Sequence, residues 1–447
     1  MLKVRHLIPV VLQVMALLLA LAACASPPTA TPVLPALEAR TPEAQPPNAN
    51  METVYAYTHQ QPDGNRFVKG EGNLPNARTL DIQLEGTPRW LVAAPFLQGS
   101  LWVVALQDGQ IQAFQVRDGQ ETKTVISPEA FPSGAPPLLA VAGGEAFLVT
   151  VPSEKASPLT HPVPLGEPGR LAFIESGGDL VLWEDGSETG RLAVDALPDA
   201  RLLVDGLERV LLLTGRSTRY PHGIAGDPVE AAEITLVATR PTLKVVRRIT
   251  IPGQGVVEGI SPIWTDLNGD GWREIIVTVS VSEQGAQVVV YAESGERLAE
   301  GQAVGRGNRW RHQIAVAPFG PDGELELAEV LTPHIGGIAG FYRLEGGSLN
   351  LLVQQGGVTS HAIGSRNLDM GLAGDLDGDG QPELVVFNQR FTELTALRRT
   401  GEGIELAWRT PVGGKAVTNL AVAVDSDGGL ILGVGRADGV LRLWLAP

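Results

Sequence analysis

The chain has 447 residues, 44% of them hydrophobic, with 53 glycines, 33 prolines and a formal net charge of −16. That apolar content can bury a large core, while the acidic balance argues against a nucleic-acid partner, which needs Lys and Arg gathered into a basic stripe. The single cysteine excludes an internal disulfide and any CxxC metal site.

At the N-terminus, Lys3 and Arg5 precede an apolar stretch from Leu7 to about Ala22. It is too short for a membrane span and ends in small residues, which is the pattern of a secretory signal. Leu21-Ala22-Ala23-Cys24 closes it and resembles the lipobox of bacterial lipoproteins. The resemblance implies a signal peptide over 1–23 and lipidation of Cys24; an incidental cysteine is the alternative. The following Pro-, Ala- and Thr-rich stretch reads as an extended tether over 24–52. Anchor and tether would hold the folded part, 53–447, outside the cytoplasm on the cell surface or the periplasmic side, with a reach of roughly 3 Å per tether residue.

Many glycines and prolines with few aromatics suit short strands joined by tight turns. Trp90-Leu-Val-Ala-Ala94, Leu101-Trp-Val-Val-Ala105, Ile111-Gln-Ala-Phe114, Ala146-Phe-Leu-Val-Thr150, Leu180-Val-Leu-Trp183 and Val210-Leu-Leu-Leu213 set the rhythm. The same succession of two apolar strands and a looser pair returns about every 50 residues, a period of propeller blades. The expected fold is therefore an all-β propeller in a single domain. Seven blades fit best between Arg89 and Pro447, and eight are allowed because 134–198 divides in two ways. The last unit ends after its third strand, Leu441-Arg-Leu-Trp444, so Thr79-Leu-Asp-Ile-Gln83 is expected to supply the fourth and close the ring.

The turn from Arg216 to Ala231, which carries Arg219, Tyr220 and His222, is long enough to suggest contact with a partner. Downstream come two acidic loops, Asp266-Leu-Asn268-Gly-Asp270-Gly-Trp272-Arg-Glu274 and Asp375-Leu-Asp377-Gly-Asp379-Gly-Gln381-Pro-Glu383. Each runs into an apolar strand, Ile275–Val279 or Leu384–Phe387. Side-chain oxygens at loop positions 1, 3, 5 and 9, a carbonyl at 7 and glycine at 6 can wrap one hard cation. Unlike an EF-hand, which places its last acid at position 12 between helices, these loops place it at 9 between strands. An ordinary Asp-Gly hairpin turn with merely soluble acids is the alternative. Two further turns, Pro318 to Glu326 and Asp425 to Ile431, lack ligands at key positions, so neither is expected to bind metal tightly.

The paired loops, each followed by Ile-Ile-Val or Leu-Val-Val, resemble the FG-GAP or VCBS repeats of integrin α-subunit propellers and many bacterial surface proteins. The resemblance covers the second half well and the first half by strand rhythm alone. It implies two calcium sites, with ligands from Asp266, Asn268, Asp270, the Trp272 carbonyl and Glu274, and from Asp375, Asp377, Asp379, the Gln381 carbonyl and Glu383. Ligand count places the tighter site at Asp375. It also implies an extracellular binding module, without a fixed chemistry.

In a four-stranded meander the first and third turns share one end of the sheet, and the second turn and crossover share the other. The acidic loops are first turns. His222 and His334 fall in second turns, and His312 and His361 in crossovers, so all four are expected on the opposite face with Arg216, Tyr220, Arg309, Trp310 and Arg311. Such a cluster could hold an anionic sugar, a carboxylate peptide or a transition metal, or each residue could anchor only its own loop. No Gly-x-Ser-x-Gly elbow, Walker loop or His-Glu-x-x-His is present, and Gly433-Val-Gly435-Arg-Ala-Asp-Gly439 reads as a hairpin turn. The sequence thus points to a membrane-anchored lipoprotein that binds a protein or glycan ligand. A propeller lyase, hydrolase or dehydrogenase acting on carbohydrate is the alternative.

Overall fold

The computed structural model describes residues 53–151, 154–425 and 428–446; the signal segment, Cys24 and the tether lie outside them. Among the described residues every regular element is a strand, and successive strands pair antiparallel as meanders. The first meander joins Pro88–Phe96, Gly99–Leu106, Ile111–Arg117 and Gln120–Thr124. Its second strand is buried at every residue and its fourth is mostly exposed. The sequence dictates this gradient, since Leu-Trp-Val-Val-Ala-Leu has no polar side chain to turn to water, whereas Gln-Glu-Thr-Lys-Thr has little else.

The same order repeats along the chain. Leu138–Ala142 and Glu145–Leu148 form a short pair extended by Val54–Tyr57. Val163–Pro164, Arg170–Ile174, Asp179–Glu184 and Ser187–Ala193 form the next meander. Two further meanders, one from Leu203–Val204 to Lys244–Thr250 and one from Ile263–Thr265 to Arg297–Glu300, merge because Val256–Val257 pairs with strands of both. Arg311–Ala317 to Ser348–Gly356, Leu372–Asp375 to Ile404–Pro411, and Ala421–Val424 to Val440–Trp444 follow.

Thr79–Gln83 pairs antiparallel with Val440–Trp444, as the sequence predicts. The first and last meanders also share one core, in which Leu91, Trp102 and Val104 pack with Ala421, Ile431 and Leu443. Gly433 and Gly435 are part of that seam: they lie inside the strand Leu430–Arg436, and the turn begins only at Ala437. A Cβ on Gly433 would stand 2.3 Å from the Trp102 ring, and one on Gly435 would stand 2.6 Å from the Thr418 methyl. These glycines serve close packing rather than a turn.

A further element has no counterpart in the repeat. The N-terminal segment from Val54 to Leu74 runs along the first strands of successive meanders. The Pro62 carbonyl accepts from Val204 N (3.0 Å) and the Asp63 carbonyl from Trp264 N (2.9 Å). Asn65 bonds both backbone groups of Val316 through its side chain (2.9 and 3.0 Å). Phe67–Glu71 pairs parallel with Leu372–Asp375, and Gln60 Nε2 reaches the Leu420 carbonyl (3.2 Å). This strap ties five meanders together at their inner strands.

Candidate functional site

Both acidic loops keep the local geometry expected from their sequence. Asp375 accepts from Gly378 N (2.7 Å) and Gly380 N (2.9 Å), and Asp266 accepts from Gly269 N (2.6 Å) and Gly271 N (2.8 Å). Positive φ at Gly378 and Gly380, and at Gly269 and Gly271, is what lets those amides turn inward. Glu383 and Glu274 open their strands and are buried, each accepting from a loop amide, Leu376 N (3.0 Å) and Leu267 N (2.7 Å). Burial pushes the Glu383 carboxyl up to about 8 and the Glu274 carboxyl up to about 7, with neighbouring aspartates adding to the rise.

The loops differ in how closely their oxygens gather. In the second, ligand oxygens of Asp375, Asp377, Asp379 and Glu383 all lie within 4.8 Å of one another, a set that can hold a metal ion. Among the described residues it is the one group of three or more acidic, His or Cys side chains that does so. In the first, Asp270 is held by Asn268 Nδ2 (3.0 Å). Trp272 is half exposed.

The second loop also contains a cation of its own. Arg398 Nη2 lies 2.5 Å from Asp377, 2.8 Å from Asp379 and 3.0 Å from Glu383. The decayed loop at Pro318 repeats the device, with Arg343 2.6 Å from Glu326 and 3.0 Å from Glu324. The first loop has Ala292 across from Glu274, so no guanidinium competes from that position.

At the opposite end, four of the expected face residues converge. Trp310 stacks on His312 (centroids 4.6 Å apart, 18°) and on His334 (6.0 Å, 15°) and meets His361 edge-on (5.0 Å). His361 Nε2 lies 2.7 Å from the Ser365 carbonyl, so that nitrogen carries the hydrogen. Burial holds His361 at about 3 and His334 at about 4, so both rings are neutral. His361 Nδ1 therefore accepts from His334 Nε2 (2.7 Å), which leaves His334 Nδ1 a bare lone pair on a half-buried ring. His222 joins through Glu258. Its Nδ1 contacts the Glu258 carboxylate, while Trp310 Nε1 donates to the Glu258 carbonyl (3.0 Å).

The remaining expected residues take other positions. Tyr220 is buried, edge-on to His222 at 6.4 Å. Arg309 is exposed. Arg311 turns into its own meander, bonded to Glu329, to Tyr342 Oη (2.8 Å) and to the Gln302 carbonyl (2.8 Å). Arg216 pairs with Asp195 (2.6 Å) and the Gly177 carbonyl (2.9 Å), away from the aromatic cluster. Arg311 stays with Glu329 because leaving that buried acid unpaired costs more than solvating a guanidinium gains, whereas Arg216 and Asp195 form an exposed pair.

Sequence reasoning misses Glu258 and Glu230. Glu230 is 3% exposed and accepts from Gly259 N (3.0 Å); burial, reinforced by the charge of Glu258, pushes its carboxyl up to about 9. Neither glutamate belongs to a motif, and only the crossover after Val256–Val257 brings Glu258 beside them.

No protein-family model matches this chain, and no curated protein matches it in sequence. Among solved structures it is similar to one titled a europium-containing methanol dehydrogenase, with a TM-score of 0.52 and 9% identity over 85% of this chain and 89% of that one. A second, a mitotic checkpoint complex chain, has a TM-score of 0.40 and 11% identity over 82% of this chain and 93% of that one. The first is a propeller fold, which at that identity speaks to architecture alone; the second carries no argument.

Proposed function

We propose that this chain is an extracytoplasmic lipoprotein, anchored in a membrane through Cys24, whose propeller binds a protein or glycan ligand through the end that carries His222, Trp310, His334 and His361. The observation that carries this reading is the convergence of those side chains from separate loops, with the bare Nδ1 of half-buried His334 beside a stacked indole. The buried indole fixes the imidazoles around it, and the bare His334 nitrogen can accept a ligand's hydroxyl or amide.

The strand grouping supports a ring of eight units rather than seven. Leu138–Leu148 and Val163–Ala193 each form a separate set, and Thr79–Gln83 completes the last. The FG-GAP/VCBS resemblance is retained for the second half. Calcium is the proposed cofactor at both loops, held by Asp375, Asp377, Asp379, Glu383 and the Gln381 carbonyl, and by Asp266, Asn268, Asp270, Glu274 and the Trp272 carbonyl. Calcium supplies crosslinking there and takes part in no reaction. Binding of the full-length chain to a glycan array and to envelope extracts tests the ligand reading. His222→Ala and His334→Ala should each abolish capture at unchanged melting temperature, and undiminished capture by both variants defeats it.

One observation favours a second reading, a carbohydrate-active enzyme. Burial, reinforced by Glu258, pushes the Glu230 carboxyl up to about 9, so a protonated acid stands next to the Glu258–His222 contact at the same cluster. Turnover of a polysaccharide that disappears in Glu230→Gln would move the assignment to this class.

A further inference from the structure

The crossover that carries His361 also walls a cavity of about 240 Å³, to which it contributes Ser365 and Asn367. The other wall comes from the start of the first meander, where Arg89 and Trp90 follow Pro88, and from Gln107. The crossover wall is continuous with the aromatic cluster. His361 Nε2 donates to the Ser365 carbonyl (2.7 Å), and Gly364 N to the carbonyl of Ile224 (2.9 Å), which packs with Trp310. The volume lies below the roughly 300–1,000 Å³ of pockets for drug-sized ligands and suits a single sugar ring.

Two side chains that line the cavity have unmet donors. Asn367 is 5% exposed; its Oδ1 accepts from Asp369 N (3.0 Å), which fixes the amide, and its Nδ2 has no partner. Arg89 Nε is likewise buried without a partner, and among the described residues the Arg89 guanidinium makes no ion pair. The charges behind Asn367 leave no carboxylate over for it, since Arg66 and Arg201 share Asp369 while Arg366 bridges Asp199 and Asp227. A lone guanidinium with a dehydrated N–H matches a ligand with one negative charge, a carboxylate rather than a phosphate dianion. A peptide main chain finds little to pair with here. The amides of Gln107, Gly364, Ser365 and Val417 are bonded to backbone carbonyls, that of Asn367 to Ser365 Oγ (3.0 Å), and Pro88 has none. Recognition therefore falls to side chains, among which Ser365 Oγ still has its hydrogen to give.

We propose that this cavity binds a hexuronate unit, its carboxylate held by the Arg89 guanidinium and Asn367 Nδ2, and its ring hydroxyls by Ser365 Oγ and the Gln107 amide. The inference rests on the reading of this end as a ligand face and narrows the ligand to an acidic glycan, met as a free sugar acid or as the end of a polysaccharide.

The test is calorimetric titration of the full-length chain with galacturonate, glucuronate, the neutral methyl ester of each, and trigalacturonate. At least one free acid is expected to bind, and its ester to bind roughly tenfold or more weakly, the worth of a hydrogen bond to a charged group. Tighter binding of the trimer assigns the site to a polysaccharide, and equal binding to the free sugar acid. Arg89→Gln should remove the preference for acid over ester. Should that variant fail to fold, the comparison of acid with ester on the unaltered chain decides alone. Acid and ester bound alike, or no binding of either acid or of the trimer, overturns the proposal. Glycan capture that is lost in His334→Ala but indifferent to the carboxylate overturns this site and leaves the ligand face standing, whereas no capture of any kind overturns both.

Discussion

Arg398 and Glu383 face each other beside the Leu384 and Leu397 register pair, Nη2 lying 3.0 Å from Oε1, so a fixed cation stands among the carboxylates of the second acidic loop. A divalent ion entering that loop must displace or repel the guanidinium. Arg398→Gln should therefore raise calcium affinity roughly tenfold or more, since a unit charge a few ångströms away is worth on the order of a few kcal/mol near a protein surface. Calorimetric titration checks this, and an unchanged or weaker dissociation constant refutes it.

Calcium binding to folded loops should stabilise the fold by mass action, with affinities in the roughly 10⁻⁴ to 10⁻³ M range of extracellular modules. Excess EDTA should lower the melting temperature of the unaltered chain, and Asp270→Ala with Asp379→Ala together should remove the response. A melt that ignores EDTA argues against a structural ion.

Glu230 gives the fold a defined dependence on pH. Its carboxyl is raised from 4.5 to about 9, chiefly by burial. Between those values the native state keeps a proton that the unfolded chain releases, so stability falls as pH rises through this window. Glu230→Gln, which stays neutral, should flatten that fall. Melting curves from pH 5 to 9 should show the variant gaining on the unaltered protein toward the alkaline end, and parallel curves would sink the assignment.

Asn65 ties the strap to a remote strand through its side chain, clasping both backbone groups of Val316 in a buried setting. Asn65→Ala should destabilise by about 2–4 kcal/mol, because two buried backbone groups lose their partners at about 1–3 kcal/mol each with some relaxation. Urea unfolding measures it, and a loss below the noise of the midpoint would show the strap to be loosely held.

The anchor is tested by fractionation. Cys24→Ser should move the protein from the membrane to the soluble fraction, and persistence in the membrane removes the lipoprotein assignment.

What the sequence makes legible follows from how local each signal is. Asp375, Asp377, Asp379 and Glu383 sit within one nine-residue loop, and a short turn gathers them whatever the rest of the chain does. His334 and His361 can be sorted to one end because strand parity fixes it. Arg398 is less visible, since its place among the acids depends on hairpin register. Arg66, His59 and Asn65 cannot be read at all: their partners Asp369, His161 and Val316 are remote in the chain, and the strap has no periodic pattern to announce it. Arg311 and Arg216 mislead for the opposite reason, because composition alone does not reveal that Glu329 and Asp195 have already claimed them.

The pairing of Thr79–Gln83 with Val440–Trp444 also sets a timetable. A chain that emerges N-terminus first holds Thr79–Gln83 long before its partner strand Val440–Trp444 has been made. Until then Thr79–Gln83 has no ladder partner, and an unpaired strand is the surface through which such chains stick to one another. Folding is therefore expected to depend on keeping that strand shielded until its partner is made, and removal of residues 440–447 should yield aggregates rather than a weakened monomer.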